Sequence, residues 1–361
     1  MPAGEIAALV RDVGKASDLA AKGVVVHEAD YSRSETLGPA LAGVDTLLLI
    51  SGNEVGHRVP QHKAVIDAAR TAGVKLIAYT SVLHADTSPL GLAEEHRQTE
   101  ALLRASGVPW VLLRNSWYTE NYIASIPAAI EHGAVLGSAG DTRIASATRV
   151  DFADAAAAVL VAQEDQAGRI YELAGDEAYT LAEFADELSR QAGKTVIFRN
   201  LSEADYKAAL VGAGLPEAVA AMLAQSDAAA GQGALFDDGH QFGRLIGRPT
   251  TPLKDAIAAA RSVFRTSTRV ESPGIFLDRE AHVAFDFDCS DVGAALDRLD
   301  YREPPRFRLI GHEGEQCPSD ASVPIVGVNR DRHLAPLARC IGYEHRACNR
   351  GAALGIGGEE T

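Results

Sequence analysis

The strongest constraint on this chain is the rhythm of its first 120 residues, where short apolar runs alternate with amphipathic stretches of helical period. Ile6–Val10, Val24–His27, Thr46–Ile50, Leu76–Thr80 and Trp110–Leu113 read as strands. Between them Ala16–Lys22, Ser34–Leu41, Pro60–Ala72 and Leu92–Ala105 read as helices. The helical boundaries carry their own signals: Ser34 as a cap, Pro60 near a first turn, Gly73 and Gly107 just past helix ends. Strands that are apolar on both faces need cover on both, and intervening helices supply it. The fold class expected is therefore α/β, a Rossmann-like doubly wound parallel sheet.

After Asn115 the rhythm changes. Asn121–His132 and Phe152–Ala162 read as helices and Ile170–Leu173 as a strand. Thr180-Leu-Ala-Glu183 is a capping box opening a helix to Ala192. Val196–Arg199 reads as a further strand, Ser202 as the cap of another helix, and Pro216–Gln225 and Leu253–Phe264 as two more helices. The expected organisation is one domain over residues 1–267, with a sheet part (1–120) and a mixed, mostly helical substrate lobe (121–267). Residues 268–361 lose helical periodicity, and only His282–Phe287 and Val292–Leu299 suggest a strand and a helix; an irregular, poorly ordered tail is expected.

Composition excludes several functions. A net charge of −15 argues against nucleic acid and anionic membranes, which require clustered Lys and Arg. No apolar run approaches the ~20 residues of a membrane span, and the amino terminus lacks a signal-peptide pattern. A cytoplasmic protein is the expectation. The four cysteines (Cys289, Cys317, Cys340, Cys348) all fall in the last quarter, without a Cys-x-x-Cys pair, so neither a disulfide scaffold nor a metal site is expected.

In an open parallel sheet, ligands bind beyond the carboxyl ends of the strands. That rule nominates Arg11-Asp12, Asp30-Tyr31, Ser51-Gly52-Asn53, Thr80-Ser81 and Asn115-Ser116-Trp117. If Ile6–Val10 is the second strand of a dinucleotide fold, Arg11 suits the 2′-phosphate of NADP, while Asp12 keeps NAD open. The Gly-rich phosphate turn that normally opens such a fold is absent. Either the chain as written begins one βα unit late or the fold is not dinucleotide-binding.

A second absence narrows the chemistry. None of the nine tyrosines has a lysine four residues on, so alcohol oxidation by a Tyr/Lys acid–base pair is disfavoured. A hydride acceptor such as a quinone asks less, because its reduced oxygens can take protons from water or a loosely placed donor. His84 is the candidate donor, with a structural histidine as the competing reading; otherwise the catalytic residue stays unassigned.

Longer motifs carry a resemblance. Leu48-Leu-Ile-Ser51 with Glu54-Val-Gly56, Ile77-Ala-Tyr-Thr-Ser81, Leu113-Arg-Asn-Ser-Trp-Tyr-Thr-Glu-Asn-Tyr122, Ile144-Ala-Ser-Ala-Thr-Arg149 and Tyr171-Glu-Leu-Ala-Gly-Asp176 are among them. From about Pro2 to Phe264 the chain resembles NmrA-like NAD(P)H:quinone oxidoreductases, a group of atypical short-chain dehydrogenases. The resemblance implies NADPH as donor, no flavin, and two-electron reduction of a quinone; an NmrA-like NADP(H) sensor without turnover is the alternative. It implies Arg11 at the adenosine 2′-phosphate and Asn53, Glu54 and Val55 beside the cofactor, with Ser51 and Ser81 at neighbouring strand ends. Ser116, Trp117, Tyr118, Thr119, Glu120 and Asn121 match the loop under the nicotinamide, and Phe152 stands where the family usually has Tyr. Against the family pattern the chain lacks the first strand and glycine loop. Weak cofactor binding and a missing central strand are the expectation. A homodimer stays open. His282-Val-Ala-Phe285 faintly resembles a vicinal-oxygen-chelate module, with read-through or a misjoined reading frame favoured instead.

Overall fold

The computed structural model describes residues 2–267 and 325–327, all within one compact unit spanning Met1–Arg330. The alternation read from the sequence is realised as β1 (Ala7–Val10), α1 (Ser17–Ala21), β2 (Val25–Glu28), α2 (Ser34–Ala40), β3 (Thr46–Leu49), α3 (Arg58–Ala72), β4 (Leu76–Val82), α4 (Ala93–Ala105) and β5 (Trp110–Asn115). Helix α3 ends where Gly73 takes φ 77°, a left-handed conformation that glycine adopts without a Cβ clash. Ser34 is the first helical residue of α2 and makes no capping bond, a correction to its reading as a cap.

The second half contains α5 (Thr119–Ile123), α6 (Ile126–His132), β6 (Ala134–Gly137), α7 (Arg149–Val161), β7 (Ile170–Leu173), α8 (Leu181–Ala192), β8 (Ile197–Asn200), α9 (Glu203–Gly212), α10 (Glu217–Ala230), α11 (Gln241–Ile246) and α12 (Leu253–Ser267). Helix α8 has the capping box expected from Thr180 and Glu183, and Ser202 caps α9 by accepting from the Asp205 N–H. Three features depart from the expected pattern. The stretch 121–132 is two helices, not one, with Pro127 in the first turn of the second. Ala134–Gly137 forms a strand that pairs in parallel with β8. Thr148 and Asp151 form a second capping box, at the start of α7.

Seven strands make the main sheet, in the order β2-β1-β9-β3-β4-β5-β7, where β9 is Ile325–Gly327. Strands β1–β2, β3–β4, β4–β5 and β5–β7 pair in parallel, so β7, from the second half of the chain, completes one edge. The direction of strand addition reverses between β1 and β3, which is the topological switch point. The centre of the sheet, expected to be missing, is held by β9. It runs antiparallel to both neighbours, pairing Ala8 and Leu48 with Val326. His282–Phe287, Val292–Leu299 and the four cysteines lie outside the described residues.

Burial explains why the sheet holds. All four residues of β1 are buried, as are Leu47, Leu48 and Leu49 of β3 and Ile77, Ala78 and Tyr79 of β4. Each large aliphatic side chain removed from water contributes about 1.5–3 kcal/mol before chain entropy is charged against it. In the lobe, Trp117, Leu181 and Leu235 join one apolar cluster, and Phe184, Leu188 and Ile257 another.

Candidate functional site

Most of the nominated residues follow the carboxyl ends of the parallel strands β1, β3 and β5. Arg11 follows β1 directly and is half-buried. Beyond β3 the segment Ser51–Glu54 is held in place: the Ser51 N–H donates to Thr80 Oγ1 (2.8 Å), and the Gly52 N–H to His62 Nε2 (3.0 Å). Glu54 accepts from Gln61 Nε2 at 2.7 Å, and the same amide donates to Ser32 Oγ at 3.0 Å, tying the loops after β2 and β3 together. Val55 is exposed at the rim of this loop.

On the other side stands the loop after β5. The chain 116–119 runs beside 145–147, with the Thr119 N–H donating to Ala147 O and Ser116 Oγ to Ala145 O (2.6 Å). This pairing needs Gly175, because a Cβ there would overlap the Ser146 carbonyl. Thr119 Oγ1 meets Ser146 Oγ at 2.8 Å, and Ser146 Oγ meets the Tyr179 hydroxyl at 2.6 Å. Trp117 is buried in the lobe's apolar cluster. Tyr118 packs edge-on against Phe152 (centroids 5.3 Å apart), and Phe152 packs in turn on Phe242. Glu120 Oε1 accepts from the Arg149 N–H at 3.0 Å. Burial pushes its carboxyl above the usual carboxylate range, with the Arg149 bond pulling partly back.

Several acceptors here are buried without a hydrogen-bond partner among the described residues: Asn53 Oδ1 after β3, Asn115 Oδ1 at the end of β5, and Glu120 Oε2 and Asn121 Oδ1 in the loop beyond it. Buried polar atoms are ordinarily paired, so such a group at strand ends marks where a ligand's donors belong. Ribose hydroxyls and a carboxamide NH2 are donors of that kind, so the residues present fit a dinucleotide.

Two nominated residues face elsewhere. Ser81 is buried and donates to Glu100 Oε1 of α4 (2.7 Å). His84 adopts φ 51°, unusual for a residue with a Cβ. Its Nε2 lies 3.4 Å from Asp237 Oδ2 and its Nδ1 3.8 Å from Glu172 Oε2, so both nitrogens face carboxylates beside edge strand β7. A buried polar residue beside this loop that sequence reasoning did not single out is His62, which accepts from the Gly52 N–H. It was masked by a helix that reads as ordinary, although its place one turn into α3 beside the β3 loop was a usable signal.

A doubly wound parallel sheet with unpaired acceptors beyond the carboxyl ends of its strands fits a dinucleotide-binding α/β protein. Comparison with known proteins narrows this further. The family model described as NAD(P)H-binding matches residues 3–163. Quinone oxidoreductase 2 of Escherichia coli is 56% identical over 258 residues, covering 72% of this chain and 90% of that protein. The chain therefore belongs to the NAD(P)H-binding family that contains quinone oxidoreductase 2. A crystal structure of the E. coli NADPH-dependent quinone oxidoreductase complexed with NADPH superposes with a TM-score of 0.70 at 56% identity, over 72% of this chain and 91% of that one. Triphenylmethane reductase from Citrobacter sp., complexed with NADP(H), also gives 0.70, at 39% identity, over 72% and 92%.

Among the described residues no helix is long and apolar enough to cross a membrane.

Proposed function

We propose that this chain catalyses the two-electron reduction of quinones with NADPH as donor. One observation carries the reading: unpaired acceptor oxygens of Asn53, Asn115, Glu120 and Asn121 lie at or beyond the carboxyl ends of β3 and β5 in a chain 56% identical to a quinone oxidoreductase. Bound there, NADPH supplies a hydride to the quinone.

The chain's own residues bind and orient. Arg11, following the strand next to the central one, offers a planar cation to the 2′-phosphate. Asn53 and Glu54, with Val55 at the rim, flank the adenosine half. The loop from Ser116 to Asn121 lies beneath the nicotinamide half, its backbone held by residues 145–147 and its Tyr118 supported by Phe152. Asn115 and Asn121 present acceptors to a carboxamide. His84 faces Glu172 and Asp237 beside β7, and the hydroquinone oxygens can take their protons from water or a loosely placed donor.

The test is NADPH oxidation, followed by absorbance, on adding a simple benzoquinone. Quinone-dependent loss of absorbance is expected, with NADPH preferred over NADH. Tight NADPH binding without turnover would replace this reading with that of a redox sensor.

A further inference from the structure

The loop over residues 51–57 is held from outside at several points. Thr80 of β4 takes the Ser51 N–H, His62 of α3 takes the Gly52 N–H, Gln61 of α3 holds Glu54, and Glu95 of α4 takes the Gly56 N–H at 2.9 Å. His62 is the deepest of these, with no solvent exposure, and Gly52 is itself buried.

The protons along this contact can be assigned from chemistry alone. A backbone N–H can only donate, so His62 Nε2 carries a lone pair and the ring proton sits on Nδ1. Nδ1 then donates to Thr99 Oγ1 at 2.9 Å, and the Thr99 hydroxyl donates to the Glu95 carbonyl at 2.9 Å. A single chain of donors thus runs from the loop backbone through the imidazole to the backbone of α4. The rings of Tyr31 and Tyr79 stand edge-on to the imidazole, with centroids 6.2 and 5.5 Å away. Burial, reinforced by Arg58, pushes the histidine down to about 3, so the ring stays neutral and keeps its lone pair at any working pH. Among the described residues His62 is the acceptor of the Gly52 N–H, and the buried surroundings leave little room for water to replace the ring.

We propose that His62 is a positioning residue: through Gly52 it sets the shape of the loop that presents Ser51, Asn53 and Glu54 to the dinucleotide. This rests on the reading of the switch-point crevice as the NADPH site. It differs from a packing role because the imidazole faces the loop by a directional bond. Without it, a buried donor is left unsatisfied one residue before Asn53.

The test compares H62L and H62Q with the parent protein. Three quantities are read: NADPH dissociation constant by direct titration, steady-state constants with benzoquinone, and melting temperature. H62L is expected to weaken NADPH binding roughly tenfold or more, the cost of one unsatisfied buried donor. Turnover at saturating NADPH and KM for the quinone should stay within about twofold, because the loop acts on binding. H62Q, whose amide oxygen can accept from Gly52 and whose NH2 can donate to Thr99, should recover most of the affinity. Parent-like NADPH affinity in H62L, even with a lowered melting temperature, would make His62 a core histidine and overturn the proposal. A loss not rescued by H62Q would do the same. If H62L does not fold, T99V removes the Nδ1 partner instead, and unchanged NADPH affinity there is the overturning result. The titration needs no quinone, so a protein that binds NADPH without turnover fails the proposed function while still testing His62.

Discussion

The Arg114 guanidinium grips the Glu100 carboxylate through two hydrogen bonds, Nε to Oε1 at 2.9 Å and Nη2 to Oε2 at 2.7 Å, with both side chains buried between β5 and α4. Arg114 also reaches Glu172 of β7 at 2.9 Å, and Ser81 donates to Glu100, so one ion pair joins three strands to a helix. Removing one partner leaves a charge in the interior. R114A is therefore expected to cost about 3–5 kcal/mol, measured by denaturant unfolding. Replacing both charges, as R114M with E100M, should cost less than R114A alone, because the fully buried Glu100 carboxylate is removed with its partner, leaving the part-exposed Glu172 without its arginine. Equal losses in single and double variants would contradict this.

Strand β9 makes its contribution through backbone pairing at the centre of the sheet. Val326 pairs with Ala8 on one side and Leu48 on the other. Proline cannot donate to a ladder and is tolerated only at sheet edges or bulges. V326P is expected to lower stability by about 1 kcal/mol or more and to speed amide exchange in β1 and β3. Unchanged exchange at Ala8 and Leu48 would show that the two strands do not depend on β9.

Cofactor choice should follow Arg11. R11Q is expected to lower kcat/KM for NADPH by roughly 10–100-fold, the worth of a charge-assisted contact, while leaving the value for NADH nearly unchanged. The ratio of the two constants is the measurement. A parallel fall with both nucleotides would move Arg11 away from the 2′-phosphate.

Glu120 gives a pH dependence of definite sign. Its folded carboxyl holds its proton more tightly than the unfolded one, chiefly because it is desolvated. The folded state therefore binds more protons between the two values, and stability declines as pH rises out of the ordinary carboxylate range. Asp227, buried and shifted in the same direction, adds to this. E120Q removes one titration, so its stability relative to the parent should be higher at about pH 7 than at about pH 4. A difference that does not change with pH would refute the assignment.

Much of the fold was legible in the chain because its signals are local. Short apolar runs such as Leu47–Ile50, bounded by turn residues, read as buried strands, and the Thr180/Glu183 box needs nothing beyond its own turn. The strand-end rule likewise drew attention to Arg11, Asn53 and Ser116 without coordinates, because sheet topology alone dictates where ligands sit. Tertiary structure decided what depends on pairing across distance. Three residues at 325–327 give no periodicity signal, yet they take the central place because β1 and β3 both present unpaired ladders to it. Ser81, inside β4, and His84, just beyond it, were drawn to Glu100 and to Glu172 and Asp237 by charges 19 to 153 positions away. His62 looked like any helical residue until the fold carried the Gly52 N–H to its lone pair. Hydrophobic period is written along the chain, whereas a hydrogen-bond partner is fixed only when two distant segments meet.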